Sequence, residues 1–544
     1  MTDDRKKPPT PGRWTQRALA AGSGLLAGFA ALATAELVSA AVRPQSDPIV
    51  AVGGAAIDRT PPAVKDWAIQ HFGTNDKLVL QSGILVVLAL FALAIGIVAL
   101  RFRRTGAAGV LVFGVVGAVA ALSRPDSEGL TDALPSIVGA VVGAVLLYFL
   151  IGRLGSPAAA QGPATEPPDD QAEETATGTG GGWDRRGFVI AASAAAAASA
   201  GAVVIGRSVN AASGQSAVAS RDKVVLPRPQ SPARPVPRGA QLRIPGISPF
   251  TTPNGSFYRV DTALVVPKVD ATTWRLRVHG MGVRRPLDLS FADLLGRELI
   301  ERDITLTCVS NEVGGPYVGN ARWIGARLAD LLAECGVKPP SKGGPATQLV
   351  ARSVDGMTIG SPVEEVMDGR DSLLAVGMNG QPLPFTHGFP VRMLVPGLYG
   401  YVSACKWITD LELTTFDAYD PYWVQRGWSR LGPIKTESRI DTPKPFARPK
   451  AGTVMIAGVA WAQHRGIEKV EVRVDDGPWE QARLAAQDTR DTWRQWSYPW
   501  RADKGGHTLT VRATDGTGRT QTQRRTQTIP NGASGWHSVV VTVD

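Results

Sequence analysis

Cysteine is scarce in this chain, with three residues among 544. Cys308, Cys335 and Cys405 form no Cys-x-x-Cys pair, no haem-attachment motif and no Cys/His cluster of zinc spacing. We therefore expect neither a disulfide framework nor a structural zinc site. Histidine is also rare, with six residues, so few side chains can serve as haem ligands or as catalytic bases.

The chain also lacks the dense basic run, interleaved with aromatic residues, that is typical of nucleic-acid-binding proteins. Its formal net charge is +10, but its Lys and Arg are scattered apart from small clusters beside apolar segments. This pattern favours a basic membrane protein and predicts no nucleic-acid partner.

Long apolar runs are abundant in the first third of the sequence. Each has close to the roughly 20 residues that cross a bilayer and lacks an amphipathic pattern. The predicted spans are 18–42, 79–100, 107–123 and 130–151, within a bundle at 1–154. Arginines in the loop at 101–106 and basic residues before the first span predict that both lie in the cytoplasm.

A Pro-, Gly- and acid-rich stretch follows at 155–183, and its composition predicts a flexible cytoplasmic linker. Arg185 and Arg186 then precede an Ala-rich apolar segment, and 184–207 resembles a twin-arginine export signal that also serves as a fifth membrane helix. Five crossings place everything after about residue 210 outside the cytoplasm. The Pro-rich stretch that ends near residue 245 predicts an extended tether at 208–245.

The rest of the chain has the composition of globular protein. Strand-like and short helical runs mix at 246–445, which predicts an α+β domain. Short alternating strands separated by Asp-Gly and Gly-Gly turns follow at 446–544, which predicts an all-β, immunoglobulin-like sandwich.

Cys308 ends a β-branched run in TLTCVSNEVGG (305–315). The thiol could be buried in the core, or it could be a nucleophile activated by His279 or His387 in the same domain. It could also be a thiolate ligand of a soft or high-valent metal, in which case another group must supply the remaining ligands.

Four separated motifs resemble the sulfite oxidase family, in the order in which that family has them. They are NGSFYRVDTALVVP (254–267), the Cys308 motif, GNARWIGARLADLL (319–332) and MNGQPLPFTHGFPVRMLVPGLYGYVSACKW (378–407). The resemblance extends over about 250–544 and implies an α+β molybdopterin domain followed by that family's dimerisation domain. It also implies that a pterin dithiolene and Cys308 share one molybdenum atom.

The resemblance assigns further residues by position. Arg259, His387, Arg392 and Lys406 match cofactor contacts, and so, less specifically, do Phe257, Tyr258, Asp355, Ala404 and Cys405. Cys308, Arg259, Arg322 and Arg465 match residues at or near the metal, with Arg465 reaching in from the second domain.

The motifs also depart from the family pattern. Glu312 and Val313 stand where the family has basic residues, and Met357 stands where it has a tyrosine. A pocket that loses a cation and gains an anion binds oxyanions less well. The family's sulfite chemistry therefore does not transfer directly to this chain.

These observations predict a membrane-anchored molybdopterin oxidoreductase that transfers oxygen atoms with two electrons, either oxidising a sulfite-like anion or reducing an S- or N-oxide. The alternative is a non-catalytic structural or adhesive ectodomain on a decayed fold. The motifs predict no haem or flavin, so electrons must pass to or from a separate haem protein or quinone-linked partner. By analogy, the C-terminal domain predicts a homodimer.

Overall fold

The computed structural model describes residues 13–61, 64, 72, 76–127, 129–154 and 185–544. The described chain forms two compact units, Met1–Ser213 and Gly214–Asp544. The predicted linker at 155–183 lies outside the described residues, so its expected flexibility stays a prediction.

The first unit is helical. Its helices are α1 (Arg13–Val42), α2 (Pro48–Arg59), α3 (Asp76–Ala99), α4 (Arg103–Leu122), α5 (Leu134–Leu154) and the start of α6 (Arg185–Asp222). Among the described residues, five helices are long and apolar enough to cross a bilayer, and only the short α2 falls outside that set. Glycines permit close packing, because a Cβ on Gly24 would lie 2.0 Å from the Ala92 carbonyl oxygen.

The structure differs in two ways from the extended tether predicted at 208–245. Helix α6 continues to Asp222, where the sequence predicted an extended tether from residue 208. The rest of that stretch is not a free linker, because Gln230 and Ser231 exchange backbone hydrogen bonds with Leu299 and Glu301. These bonds tie residues 230–231 to β3 within the second unit. The Pro-rich composition of the stretch gave no sign of them.

The part of the second unit that the sequence predicts to be catalytic, which we call the catalytic part, has two five-stranded sheets. One has the order β2-β1-β10-β5-β6, in which β1 and β10 are parallel. The other has the order β3-β4-β7-β8, with β9 paired to β7. The strands are β1 (Arg275–Gly280), β2 (Leu287–Ser290), β3 (Leu299–Thr307), β4 (Val318–Arg327), β5 (Gln348–Ser353), β6 (Thr358–Pro362), β7 (Leu373–Met378), β8 (Gln381–Pro382), β9 (Arg392–Leu394) and β10 (Ile408–Thr414). Short helices α7 (Phe291–Leu295), α8 (Leu328–Glu334), α9 (Val363–Met367) and α10 (Gly400–Ser403) connect them.

The C-terminal part has two four-stranded sheets with the orders β11-β12-β16-β15 and β14-β13-β17-β18. Their inward-facing side chains share one apolar core, which the alternating pattern predicts. The strands are β11 (Glu437–Thr442), β12 (Gly452–Trp461), β13 (Ile467–Val474), β14 (Glu480–Gln481), β15 (Arg483–Leu484), β16 (Arg494–Ala502), β17 (Gly505–Asp515) and β18 (His537–Val543).

The predicted division at residue 445/446 does not separate two independent bodies. Strand β11 begins at Glu437, before that boundary, and it pairs with β12. Val459, Trp461 and Trp493 belong to the core of the catalytic part. The two parts therefore share buried surface within one compact unit.

Candidate cofactor site

Cys308 lies where β3 ends and the β3–β4 loop begins. Its backbone N–H donates to the Tyr317 carbonyl at 3.0 Å, and its carbonyl accepts from the Asn311 N–H at 3.1 Å. Its Sγ lies 2.9 Å from the Ser310 hydroxyl oxygen. The loop thus holds Cys308 through its own backbone, and the residue as a whole is half-buried.

Four basic side chains that the sequence singled out are linked in the structure, and we call Arg259, His387, Arg392 and Lys406 the basic cluster. Arg259 Nε and Lys406 Nζ lie 2.8 Å and 2.9 Å from Asp261 Oδ2. Arg392 Nη1 donates to the His387 carbonyl at 3.2 Å. Residues from two separate motifs are therefore brought together, and the charges of Arg392, Lys406 and Arg259 all act on His387.

Aromatic rings join the basic cluster to the strands. The Phe257 ring stacks on Tyr258 with centroids 5.2 Å apart, and it meets His387 edge-on at 5.5 Å and Trp323 at 5.7 Å. The Arg392 guanidinium carbon lies 5.1 Å from the Trp323 ring centroid. Phe257 thus contacts the basic cluster at His387, and Tyr258 stacks on Phe257.

Burial dominates the electrostatics of this region. Burial raises the pKa of the Cys308 thiol, while the Ser310 hydroxyl and the Lys406 charge oppose that rise. Burial also raises the pKa of Tyr258, with the Cys308 charge adding to the effect and the Arg392 charge opposing it. A bound cation would be needed to keep the Cys308 thiolate at neutral pH.

The cations themselves are destabilised by burial. Burial lowers the pKa of Arg392 to about 10. Burial lowers the pKa of Lys406 as well, and the neighbouring Asp261 opposes that effect. For His387, burial and the Arg392 charge lower the pKa to about 4, so its imidazole is neutral near pH 7. The His387 Nε2 lies 3.1 Å from the Asn254 carbonyl oxygen. Buried positive charge of this kind suits an anionic ligand.

The remaining predicted cofactor contacts line the same region. Burial raises the pKa of the Asp355 carboxyl, which accepts from Ser353 and interacts with Lys406. Cys405 is buried, and its carbonyl accepts from the Met393 N–H at 2.8 Å. Ala404 lies between Cys405 and α10.

Two predicted active-site arginines are not brought to the basic cluster. Arg322 Nη2 lies 2.6 Å from Asp303 Oδ2 and donates to the Arg234 carbonyl. Neighbouring side chains in a strand point to opposite faces, and Trp323 takes the face toward the cluster. Arg465 pairs with Asp515 at 2.9 Å and donates to the Ile434 carbonyl at 2.7 Å. Both arginines therefore have carboxylate partners outside the basic cluster, and their place near the metal stays a prediction.

Other sequence expectations have simpler outcomes. Glu312 is exposed on the Cys308 loop, and Met357 packs against the catalytic core. His279 is half-buried and lies 2.8 Å from Asp410, on β1 rather than at the basic cluster. Cys335 is fully buried at the end of α8.

Sequence reasoning missed Asp261 and Trp323. Asp261 is 3% exposed and contacts two cations of the basic cluster, and Trp323 contacts Phe257 and Arg392. Both lie inside quoted motifs, two residues after Arg259 and directly after Arg322. A buried lysine needs a counter-ion, so the nearness of Asp261 to Arg259 was the available signal.

The cofactor that the motifs imply can be tested against these side chains. Within the described part of the chain, the buried Nε of Arg392 has no hydrogen-bond partner. That donor, the neutral His387 and the Lys406 ammonium suit a phosphate and a polar pterin edge. The Cys308 thiol, approached by Lys406 and Tyr258, offers one soft ligand. The residues present therefore fit a molybdopterin group.

Comparisons with known proteins agree with this fit. The family model "Oxidoreductase molybdopterin binding domain" matches residues 263–423. Human mitochondrial sulfite oxidase is 31% identical over 288 residues, which cover 45% of this chain and 52% of that protein. The uncharacterized oxidoreductase YuiH of Bacillus subtilis is 32% identical over 190 residues, which cover 35% of this chain and 88% of YuiH.

Among solved structures, the sulfane dehydrogenase SoxCD from Paracoccus pantotrophus is 25% identical, with a TM-score of 0.46, over 54% of this chain and 83% of that chain. The chain spans about half the length of the first sulfite oxidases it matches. YuiH, by contrast, is covered almost throughout. The chain belongs to the sulfite oxidase family of molybdopterin-binding oxidoreductases.

Proposed function

We propose that this protein is a molybdenum-dependent oxidoreductase that transfers an oxygen atom with two electrons to or from a small molecule. One observation carries the proposal: Lys406 of the basic cluster and Tyr258 act electrostatically on Cys308, so residues from three motifs lie together around one thiol. Bound there, the molybdenum cofactor supplies the two-electron chemistry. Cys308 binds the metal, and Arg259, His387, Arg392 and Lys406 bind the phosphate and pterin edge.

The non-catalytic alternative fits these residues less well. Buried cations cost stability unless they are paired, and Arg392 retains an unpartnered buried donor among the described residues. A fold that had lost its cofactor would gain stability by replacing this arginine. Its retention supports a bound anionic group.

The substrate we propose is a neutral S- or N-oxide rather than a dianion such as sulfite. Arg322 and Arg465, the arginines that the family pattern places near the metal, are already paired with Asp303 and Asp515. Glu312 adds negative charge to the loop of the metal ligand. These features weaken attraction for a dianion, and a neutral oxide does not depend on it.

We also propose that the five apolar helices anchor the catalytic unit in the cell membrane, with that unit outside the cytoplasm. The two C-terminal sheets form an immunoglobulin-like sandwich that mediates a homodimer, and electrons come from a separate haem or quinone-linked partner. The twin-arginine pattern at 185–186 supports export of an already folded protein.

Metal analysis of the full chain, purified in detergent from a host that makes molybdopterin, tests the proposed chemistry. We expect about one molybdenum per chain, and loss of turnover in Cys308→Ser with most pterin retained. Cys335→Ala is the matched control, because that thiol is buried away from the basic cluster. Turnover should be faster with methionine sulfoxide and a reduced viologen than with sulfite and ferricyanide. Stoichiometric zinc, or no metal, would refute the assignment.

A substitution of the two arginines at 185–186 tests whether an export receptor recognises them. Replacing Arg185 and Arg186 with Lys keeps the positive charge, so the orientation signal survives. If an export receptor reads the arginines, the C-terminus becomes protected from protease in intact spheroplasts of the variant. Full accessibility in that variant would contradict receptor recognition.

A further inference from the structure

Of the buried side-chain atoms that have no hydrogen-bond partner among the described residues, three belong to neighbouring positions at the β11–β12 pair. The atoms are Glu437 Oε1, Trp461 Nε1 and Gln463 Oε1. Glu437 is 6% exposed, and Trp461 and Gln463 are fully buried. Proteins leave few such atoms unsatisfied, so a group of them calls for an explanation.

Glu437 and Trp461 lie on one face of the β11–β12 pair, and Gln463 lies in the turn that follows β12. Glu437 is directly opposite Trp461 in the antiparallel register, so both point to the same face. Trp461 belongs to the core of the catalytic part. The Gln463 amide nitrogen donates to the Thr305 carbonyl at 3.0 Å and to the Thr307 hydroxyl at 2.9 Å. The end of β12, with Gln463 in the turn after it, therefore contacts β3, the strand that ends just before Cys308.

Tyr399 connects Glu437 to the same place. Its hydroxyl oxygen accepts from the backbone N–H of Lys435, two residues before Glu437, at 3.3 Å. The next residue, Gly400, packs at the end of β3, where its Cβ position lies 3.8 Å from the Thr307 carbonyl oxygen. The buried phenol interacts electrostatically with both Glu437 and Cys308. Tyr399 therefore connects the segment that carries Glu437 with the end of the strand that leads to Cys308.

Few charges oppose the burial of Glu437. The charged groups that act on it are Lys435 and Arg525, and the Tyr399 phenol is the other titratable group facing it. The Lys435 ammonium donates hydrogen bonds to the Gly532 carbonyl at 2.5 Å and to the Asn531 side-chain oxygen at 3.1 Å. Burial therefore prevails and raises the pKa of Glu437 to about 8. At neutral pH the carboxyl holds a proton.

We propose that Glu437 is a proton-holding residue that serves the site at Cys308 through Tyr399 and ordered water bound by Trp461 and Gln463. This inference rests on the proposed function. Reduction of an S- or N-oxide consumes two electrons and two protons and releases the oxygen atom as water. The external electron donor supplies both electrons. The Glu437 O–H bond breaks to supply one proton, solvent supplies the other, and the carboxylate regains its proton from solvent.

The test compares the full chain in detergent with Glu437→Gln, Glu437→Asp and a control, Glu471→Gln. Glu471 is a suitable control because it is a paired carboxylate on β13, held by Arg512 and Lys469, whose pKa is lowered rather than raised. Infrared spectra of cofactor-free protein at pH 6 should show a protonated carboxylic acid band in the wild type and in Glu471→Gln. Glu437→Gln should lose the component of the band that Glu437 contributes, while the component from the buried Asp355 carboxyl, whose pKa is also raised, remains.

Turnover of methionine sulfoxide provides the second measurement. In the wild type and in Glu471→Gln, turnover should fall as the pH rises through about 8. Glu437→Gln should be about 100-fold slower, within the usual range for an internal acid, and should lose this pH dependence. Glu437→Asp should restore part of the rate.

The outcomes separate this inference from the proposed function. An unchanged band intensity in Glu437→Gln overturns the proton-holding role whatever the activity. A normal molybdenum content with an unchanged pH profile in Glu437→Gln overturns the inference and leaves the proposed function intact. Absence of molybdenum overturns both, because no site then exists for the proton to serve.

Discussion

At the scale of single residues, Asp261 is the carboxylate that holds the basic cluster together. It accepts from both Arg259 and Lys406 and is almost wholly buried. Removing one partner of a buried ion pair leaves an uncompensated charge, which is far more costly than losing an exposed pair.

We therefore expect Asp261→Asn to lower the free energy of unfolding of the cofactor-free protein by about 3 kcal/mol. Urea unfolding followed by tryptophan fluorescence measures this change. Asp417→Asn is the control, because that carboxylate is 97% exposed beside Arg430, and it should change stability little. Equal effects of the two substitutions would show that Asp261 does not neutralise Lys406.

Buried histidines make the second unit sensitive to acid. Burial and neighbouring arginines lower the pKa of His387 and of His537 to about 4. Because the unfolded chain binds protons at a higher pH, the stability from each histidine is present above about pH 6.5 and is lost as the pH falls through about 4. Glu437 has the opposite sign, because its raised pKa costs stability as the pH rises through about 8.

In the wild type, His537 Nδ1 accepts a hydrogen bond from the Ile440 N–H at 3.0 Å. In His537→Asn, the asparagine side chain can still accept this bond, but it does not titrate. We expect the wild type to lose roughly 3 kcal/mol more than the variant between pH 6.5 and 4, because burial lowers the pKa of His537 from its ordinary value of about 6.5 to about 4. Chemical denaturation at both pH values measures the difference. Parallel losses in the two proteins would show that His537 does not contribute to acid sensitivity.

At the scale of elements, the loop between β3 and β4 is held from the C-terminal sheets. Arg439 Nη1 on β11 donates to the Gly315 carbonyl at 2.8 Å. Gly314 has a φ of 79°, and a Cβ there would lie 2.2 Å from His537 Cδ2 on β18. The loop that carries the Cys308 thiol therefore takes its shape partly from strands far away in sequence.

Gly314→Ala should destabilise the protein by about 2–3 kcal/mol, since it adds a steric clash to an unfavourable left-handed backbone. It should also reduce the molybdenum content. Gly518→Ala is a matched control, because its φ is 82° with open space around it, and it should cost only about 1 kcal/mol. Denaturation and metal analysis of both variants decide whether the contact with His537 matters.

Local pattern predicted some of these elements and missed others. Alternation identified β12, β13, β17 and β18, whereas β16 contains Pro499, a residue that argues against a strand. The motifs identified Cys308 and the basic cluster. The partners of Arg322 and Arg465 are set by tertiary packing, since Asp303 and Asp515 lie 19 and 50 residues away. Sequence alone could not show that these arginines were already paired.

At the scale of the whole molecule, the C-terminal sheets are structurally part of the catalytic unit. The buried Trp493 indole donates to the Phe250 carbonyl at 2.9 Å, and the Trp493 backbone N–H donates to Thr305 at 2.7 Å. Removing these sheets would expose the catalytic core and leave several buried groups without partners.

A chain that ends at residue 445 should therefore fail to fold, although the sequence divides there. We expect it to be insoluble or to be degraded by limited proteolysis at concentrations that leave the full chain intact. A soluble, protease-resistant product that unfolds cooperatively would contradict this and would restore the division that composition suggested.

The contact between Gly314 and His537 also sets the order of events during biosynthesis. The ribosome makes the Cys308 loop long before it makes β11 and β18, which hold that loop in shape. A nascent chain therefore lacks a complete cofactor site, and cofactor insertion must wait until synthesis has passed His537. An export pathway that translocates an unfolded chain would export this protein without its cofactor. A pathway that translocates folded proteins allows the cofactor to be inserted before export.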